Sequence, residues 1–217
     1  MLGSRESYVF SPRVFGTRLE PPWSMVLLLH LATVARLAAG MLAVQDPAAS
    51  VDPARAQAYA AAALAAADAH QIDPFELVGV ARVESRFRAD EVGSDGKDCG
   101  IMQTRVTGSR YKCRELRRNV AIAFSEGARE LAAYRDSCRG HRDFDRCRFN
   151  RYNSGVRYSR TGFHGSYWLR VKCFSEAARA GEPGAGCLDV RSRGAMARAI
   201  HKPYRSGKLY AAARTRR

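Results

Sequence analysis

All six cysteines of this chain, Cys99, Cys113, Cys138, Cys147, Cys173 and Cys187, fall between positions 99 and 187 of its 217 residues. None are spaced as C-x-x-C, and no histidine cluster stands beside them at ligand spacing, so a metal site is not expected. An even set of this kind reads as three disulfides. The sequence leaves every pairing open; the simplest joins neighbours, Cys99 with Cys113, Cys138 with Cys147 and Cys173 with Cys187. Disulfides belong to an oxidising compartment, which places the working protein outside the cytoplasm.

The first segment agrees with export. Residues 25–44, MVLLLHLATVARLAAGMLAV, form an apolar stretch preceded by Arg5, Arg13 and Arg18. This resembles a signal peptide, with Ala38 and Gly40 as small residues at a cleavage site. The same length suits a bilayer span, although Arg36 within it is costly there. A cleaved signal is the favoured expectation and a retained anchor the alternative, with the protein periplasmic or in the cell envelope. The other end is strongly basic: residues 189–217 hold nine Lys/Arg and one acid, in a chain of formal charge +15. Such a tail suits electrostatic contact with an anionic wall or membrane. No recognition motif accompanies the charge, so specific nucleic-acid binding is not expected. The expected division is residues 1–48 as signal or anchor plus linker, 49–188 as the folded domain, and 189–217 as a flexible tail.

Between these ends the punctuation is helical. Asp52-Pro53 and Asp73-Pro74 each place a capping side chain before a proline suited to the first helical position. Helices are expected from Pro53 to about His70 and from about Phe75 to Phe87. A stretch from Asp90 to Thr107, rich in Gly, Ser and Asp, has no helical period and reads as a loop or small hairpin. A longer helix spans about Cys113 to Ser137, with Leu116, Val120, Phe124, Ala128 and Leu131 on one stripe. Shorter ones cover Phe144–Tyr152 and Tyr167–Ala180. The fold class is mainly α (α+β), a helical domain with a small irregular or β-hairpin flap.

The second of these helices carries an anomaly. Its apolar stripe runs Leu77, Val80, Ala81, Glu84, Phe87. Leu77 and Glu84 are seven residues apart, about 700° of rotation, so they point the same way. A carboxyl group therefore stands where the period asks for an apolar side chain. Withdrawal from water disfavours the ionised form, so such a group keeps its proton to higher pH, as a general acid requires. The same pattern also fits a glutamate paired with a core arginine.

The surrounding residues decide between these readings. Val83-Glu84-Ser85-Arg86-Phe87 is followed roughly 15 residues later by Gly100-Ile101-Met102-Gln103, and roughly 50 residues after that by Arg151-Tyr152-Asn153-Ser154-Gly155. In this order the segments resemble the soluble lytic transglycosylase (SLT) catalytic domain family, whose fold is related to goose-type lysozyme. The resemblance covers about residues 50–180 and implies a lysozyme-like fold.

The resemblance implies a reaction on peptidoglycan glycan strands, without cofactor. Glu84 would protonate the glycosidic oxygen between N-acetylmuramic acid and N-acetylglucosamine. As carboxylate it would then take the C6 hydroxyl proton of the muramic sugar, closing a 1,6-anhydro ring. It further implies substrate-binding roles near Glu84 for Ser85, Ser94, Met102, Gln103, Tyr152 and Asn153, with Tyr152 orienting Glu84. The chain departs from the family at Gln103-Thr104-Arg105-Val106 and at Gly93–Asp98, where Asp95 and Asp98 approach the site. A second carboxylate there keeps open a muramidase that hydrolyses the same bond. A catalytically idle wall-binding or secretion-apparatus component is the reading from another class.

Overall fold

The computed structural model describes residues 22–154 and 166–190, with side chains from Met25 onward. Its elements in chain order are α1 (Pro22–Val44), α2 (Pro53–His70), α3 (Pro74–Glu84), β1 (Asp98–Cys99), β2 (Thr104–Arg105), α4 (Cys113–Arg118), α5 (Val120–Ser137), α6 (Phe144–Ser154) and α7 (Tyr167–Ala180). The domain is mainly α with one antiparallel two-stranded hairpin, which pairs Asp98 with Arg105 and Cys99 with Thr104.

The helix starts follow their local chemistry. The Asp52 carboxylate accepts from the Arg55 amide at 2.8 Å, and that of Asp73 from the Phe75 amide at 3.0 Å. Both satisfy donors that a first turn leaves free. The expected Cys113–Ser137 helix is instead two helices. Asn119 takes an extended conformation, ends α4, and caps α5 by accepting from the Ile122 amide at 3.1 Å. A side chain able to bond its own backbone competes with helix continuation at this point.

Helix α3 is the centre of the molecule. Leu77, Val78, Val80 and Ala81 are fully buried on it, and α7 lies directly against it. The approach is so close that a Cβ on Gly79 would stand 2.2 Å from Ser175 Oγ and 2.5 Å from the Val171 carbonyl oxygen. Buried ion pairs fix the same assembly: Arg148 of α6 forks onto Glu76 of α3, with one bond of 2.7 Å, and reaches Asp145 at 2.7 Å. Lys172 of α7 joins Glu76 at 3.5 Å. Losing one member of such a buried set strands the others, at a cost of about 3–5 kcal/mol.

The disulfides join neighbours as expected, Cys99–Cys113, Cys138–Cys147 and Cys173–Cys187, with Cα separations of 5.3, 5.9 and 5.5 Å. The first ties the hairpin to the start of α4. Leu37, Ala38, Met41 and Val44 at the end of α1 belong to the same continuous core as α2, α3 and α7. The basic tail from Arg191 onward lies outside the described residues, as do residues 1–21 and 155–165.

Candidate active site

Helix α3 stops at Glu84, three residues earlier than its period suggested. The Ser85 amide still closes onto Ala81 O at 3.1 Å, but Arg86 and Phe87 both adopt left-handed conformations, with φ of 57° and 64°. For residues with a Cβ this costs of order 1 kcal/mol each and persists only where the surroundings enforce it. Phe87 supplies the reason, because the reversal sends its ring back into the core, where it is 2 % exposed. The abrupt stop leaves Glu84 at the helix end, half-buried and facing a cleft of about 610 Å³.

The opposite wall is the hairpin and the loop inside it. Gly100 has φ +77°, and a Cβ there would meet the Leu116 carbonyl oxygen at 2.5 Å, so this corner needs glycine. Ser85 joins the walls: its hydroxyl is buried and lies 2.7 Å from the Ile101 carbonyl oxygen and 3.1 Å from that of Ala81. Asp98, Gln103 and Arg105 line the cleft from the hairpin, Glu130 and Tyr134 from α5, and Tyr152 and Asn153 from α6.

Burial pushes the Glu84 carboxyl up to about 7; a hydrogen bond from Tyr167 opposes the shift, and the negative charges of Asp98 and Glu130 add to it. The Tyr167 hydroxyl donates to Glu84 Oε1. Tyr167 is 2 % exposed, and its own ionisation is raised well above the usual tyrosine range, chiefly by burial and then by Glu84, so it remains a donor. With Oε1 occupied by that bond, Oε2 is the oxygen left to carry the proton.

Two other carboxyl groups share the cleft in different states. Asp98 receives Arg105 Nη1 at 3.2 Å on both oxygens, while Arg105 Nη2 bonds Asp95 at 2.9 Å. Glu130 lies next to Tyr134, whose hydroxyl is 3.2 Å from Oε1, and burial raises its carboxyl above the usual range. Among the described residues no group of three or more His, Cys, Asp or Glu is arranged to hold a metal ion.

The expected residues divide. Gln103 and Asn153 line the cleft beside Glu84, although Gln103 commits its amide nitrogen to Gly100 O at 2.9 Å and Glu91 O at 3.2 Å. Tyr152 lines it too, but its hydroxyl donates to Met102 O at 2.9 Å rather than to Glu84. The tyrosine that bonds Glu84 is Tyr167, from the first turn of α7. Met102 is fully buried against Gly127 of α5, and only its carbonyl is engaged with a cleft residue. Ser94 is exposed in the turn before the hairpin, and Ser85 spends its hydroxyl on backbone; neither lines the cleft. Sequence reasoning missed Tyr167, Glu130 and Tyr134. Glu130 and Tyr134 share a face of α5 four residues apart, a readable signal. No local pattern selects Tyr167, because its contact spans 83 positions.

The family model described as Transglycosylase SLT domain matches residues 61–167, a span holding Glu84, the hairpin, α5, α6 and, at its last position, Tyr167. No curated protein and no solved structure matches the chain.

Proposed function

We propose, on the premise that residues 61–167 match the transglycosylase SLT domain family, that this chain is a lytic transglycosylase of peptidoglycan. The observation that carries the reading is the state of Glu84, a carboxyl group that holds its proton to about 7 while facing an open cleft. At neutral pH both forms are populated, which suits a group that must give a proton and then take one.

In the proposed cycle the β-1,4 bond between N-acetylmuramic acid and N-acetylglucosamine lies across Glu84. Its proton passes to the glycosidic oxygen as the bond to C1 of the muramic sugar breaks. The resulting carboxylate keeps the Tyr167 hydrogen bond, which stabilises the charge at this step. It then removes the proton from the C6 hydroxyl, and O6 bonds to C1 to give the 1,6-anhydro sugar. No water is consumed, and Glu84 ends as it began. Gln103, through its amide oxygen, and Asn153 are the groups assigned to sugar hydroxyl and acetamido contacts. The site of action is the cell envelope, in keeping with three disulfides and an apolar N-terminal helix.

Asp98 supports a second reading. Its position in the cleft would let it serve a hydrolase that directs water onto C1, as carboxylate pairs do in other glycosidases. Against it, Asp98 is held at both oxygens by Arg105. Mass spectrometry of the products released from purified wall by the full chain decides. Anhydromuramic ends are expected; reducing muramic ends would assign a hydrolase, and no product an idle wall-binding module.

A further inference from the structure

Helix α1 is 23 residues long, and its two halves have opposite surroundings. From Leu37 to Val44 it is a core element. Leu37 and Met41 are essentially inaccessible, and Arg82 of α3 donates to the Val44 carbonyl at 2.6 Å. At Gly40 the backbone meets α7 so tightly that a Cβ would stand 2.4 Å from the Ala178 carbonyl oxygen. Before Leu37 the helix is largely exposed, with Val34 alone among its large apolar residues partly packed against the core. Met25, Val26, Leu27, Leu28, Leu29 and Leu31 are 54–66 % exposed, and they are six of the eight large hydrophobic residues exposed among the described residues.

Successive residues of a helix are turned by about 100°, so five in a row cover its whole circumference. A protein groove covers one face of a helix. A side chain at every angle instead calls for an apolar medium on all sides, which a lipid acyl layer supplies. Charge marks where that medium ends. Arg36 stands at the junction of the two halves, lies over Phe75 and donates to Arg179 O at 3.4 Å, and the Arg179 guanidinium lies over the same ring, so two cations gather where the exposed apolar half ends.

The apolar stretch Met25–Val44 has the length of a bilayer span. Eight of its residues, however, are already claimed by the domain. The part before the buried half, residues 25–36, measures about 18 Å, short of a hydrocarbon core of about 30 Å. A cut after Gly40 would sever the helix inside its buried half and remove Leu37 and Ala38 from the core.

We propose that α1 is a retained foot that seats the domain on a lipid bilayer, its last turns built into the catalytic core and its apolar first turns inserted among acyl chains. This rests on packing and is independent of the reaction assigned to Glu84. The interaction is with lipid rather than with another chain, and it resists salt because it is apolar.

The test uses the full chain, purified in mild detergent, and vesicles of phosphatidylethanolamine with phosphatidylglycerol. In flotation at 0.5 M salt the wild type should rise with the vesicles. The triple variant L27E/L28E/L31E should lose at least ten-fold in bound fraction, with its melting temperature and its cleavage of soluble glycan unchanged. Equal flotation of the variant, or no flotation of the wild type, would overturn the proposal. Gly40→Val should lower the melting temperature of the domain by several degrees; an unchanged value would show that α1 is not part of the core. Amino-terminal sequencing of protein from the envelope of producing cells should find residues 25–44 retained. A mature end at or after Met41 would refute it.

Discussion

Two glutamates, a half-buried one at the end of α3 and a fully buried one in the middle of α5, meet opposite fates. Glu126 has no exposed side-chain surface, yet Arg129 and Arg110 lie 3.1 and 3.0 Å from its oxygens. Burial alone would raise its carboxyl; the two guanidinium groups more than offset this and hold it below the usual range. Glu84 has a tyrosine hydroxyl where Glu126 has arginines, and burial wins. The two helices thus use the same residue for different ends. The α5 region neutralises its carboxylate and gains an anchored loop, while the α3 terminus leaves its carboxyl without a paired cation and protonated to about 7.

The largest expected effect falls on the unpaired member. Glu84→Gln should reduce release of glycan fragments by roughly 10²–10⁴-fold, with the circular dichroism spectrum unchanged, since the amide still accepts from Tyr167. Retention of a tenth of wild-type release would remove Glu84 from the mechanism. Next comes Tyr167→Phe, expected to lower turnover about ten-fold. Because that hydrogen bond holds the Glu84 carboxyl down, its loss should move the alkaline limb of the pH–rate profile upward. A profile that keeps its position while its height falls would mean that Tyr167 acts only through packing.

Stability against pH separates the two glutamates further. Glu84 titrates higher in the folded state than in the unfolded, so its favourable contribution is complete below about 4.5 and is lost as pH rises through about 7. Glu84→Gln should therefore stabilise the domain at pH 8 by about 2 kcal/mol relative to wild type and change little at pH 4. Glu126 has the opposite sign. Its contribution is present above the ordinary glutamate range and disappears as pH falls through its depressed folded value. Glu126→Gln should cost about 1–2 kcal/mol at pH 7, discounted because both arginines are partly solvated, and should flatten the acid side of the curve. Urea unfolding of the three proteins across pH 4 to 8 checks both signs, and curves that move together would dissolve the contrast.

Much of this was written in local pattern. The Asp-Pro starts, the stop of α7 at Gly181, and the placement of Glu84 on an apolar stripe follow from spacing and capping chemistry. The break at Asn119 was hidden because Leu116, Phe124 and Ala128 keep a helical period across it. The early end of α3 was hidden too, since Phe87 satisfies the period in sequence but reaches the core by a reversed backbone. The exchange of Tyr152 for Tyr167 as partner of Glu84 has no local sign, because it depends on the close approach of α7 that Gly79 permits. Composition alone does not distinguish the roles open to residues 37–44, since a core helix and an export signal are equally apolar.

The left-handed pair after the acid bears on which substitutions this chain tolerates. Four consecutive positions there answer to four different demands. Position 84 is set by the carboxyl group it presents to the cleft, 85 by the bond to Ile101 O, and 87 by the space its ring fills. Arg86 alone is exposed; its side chain reaches Asp46 at 3.4 Å, and its left-handed backbone is the strongest demand this position makes. Glycine at 86 adopts that shape without penalty and should raise stability by up to about 1 kcal/mol. A scan of all substitutions across residues 84–87 should then read as three intolerant sites around one that improves on the natural residue.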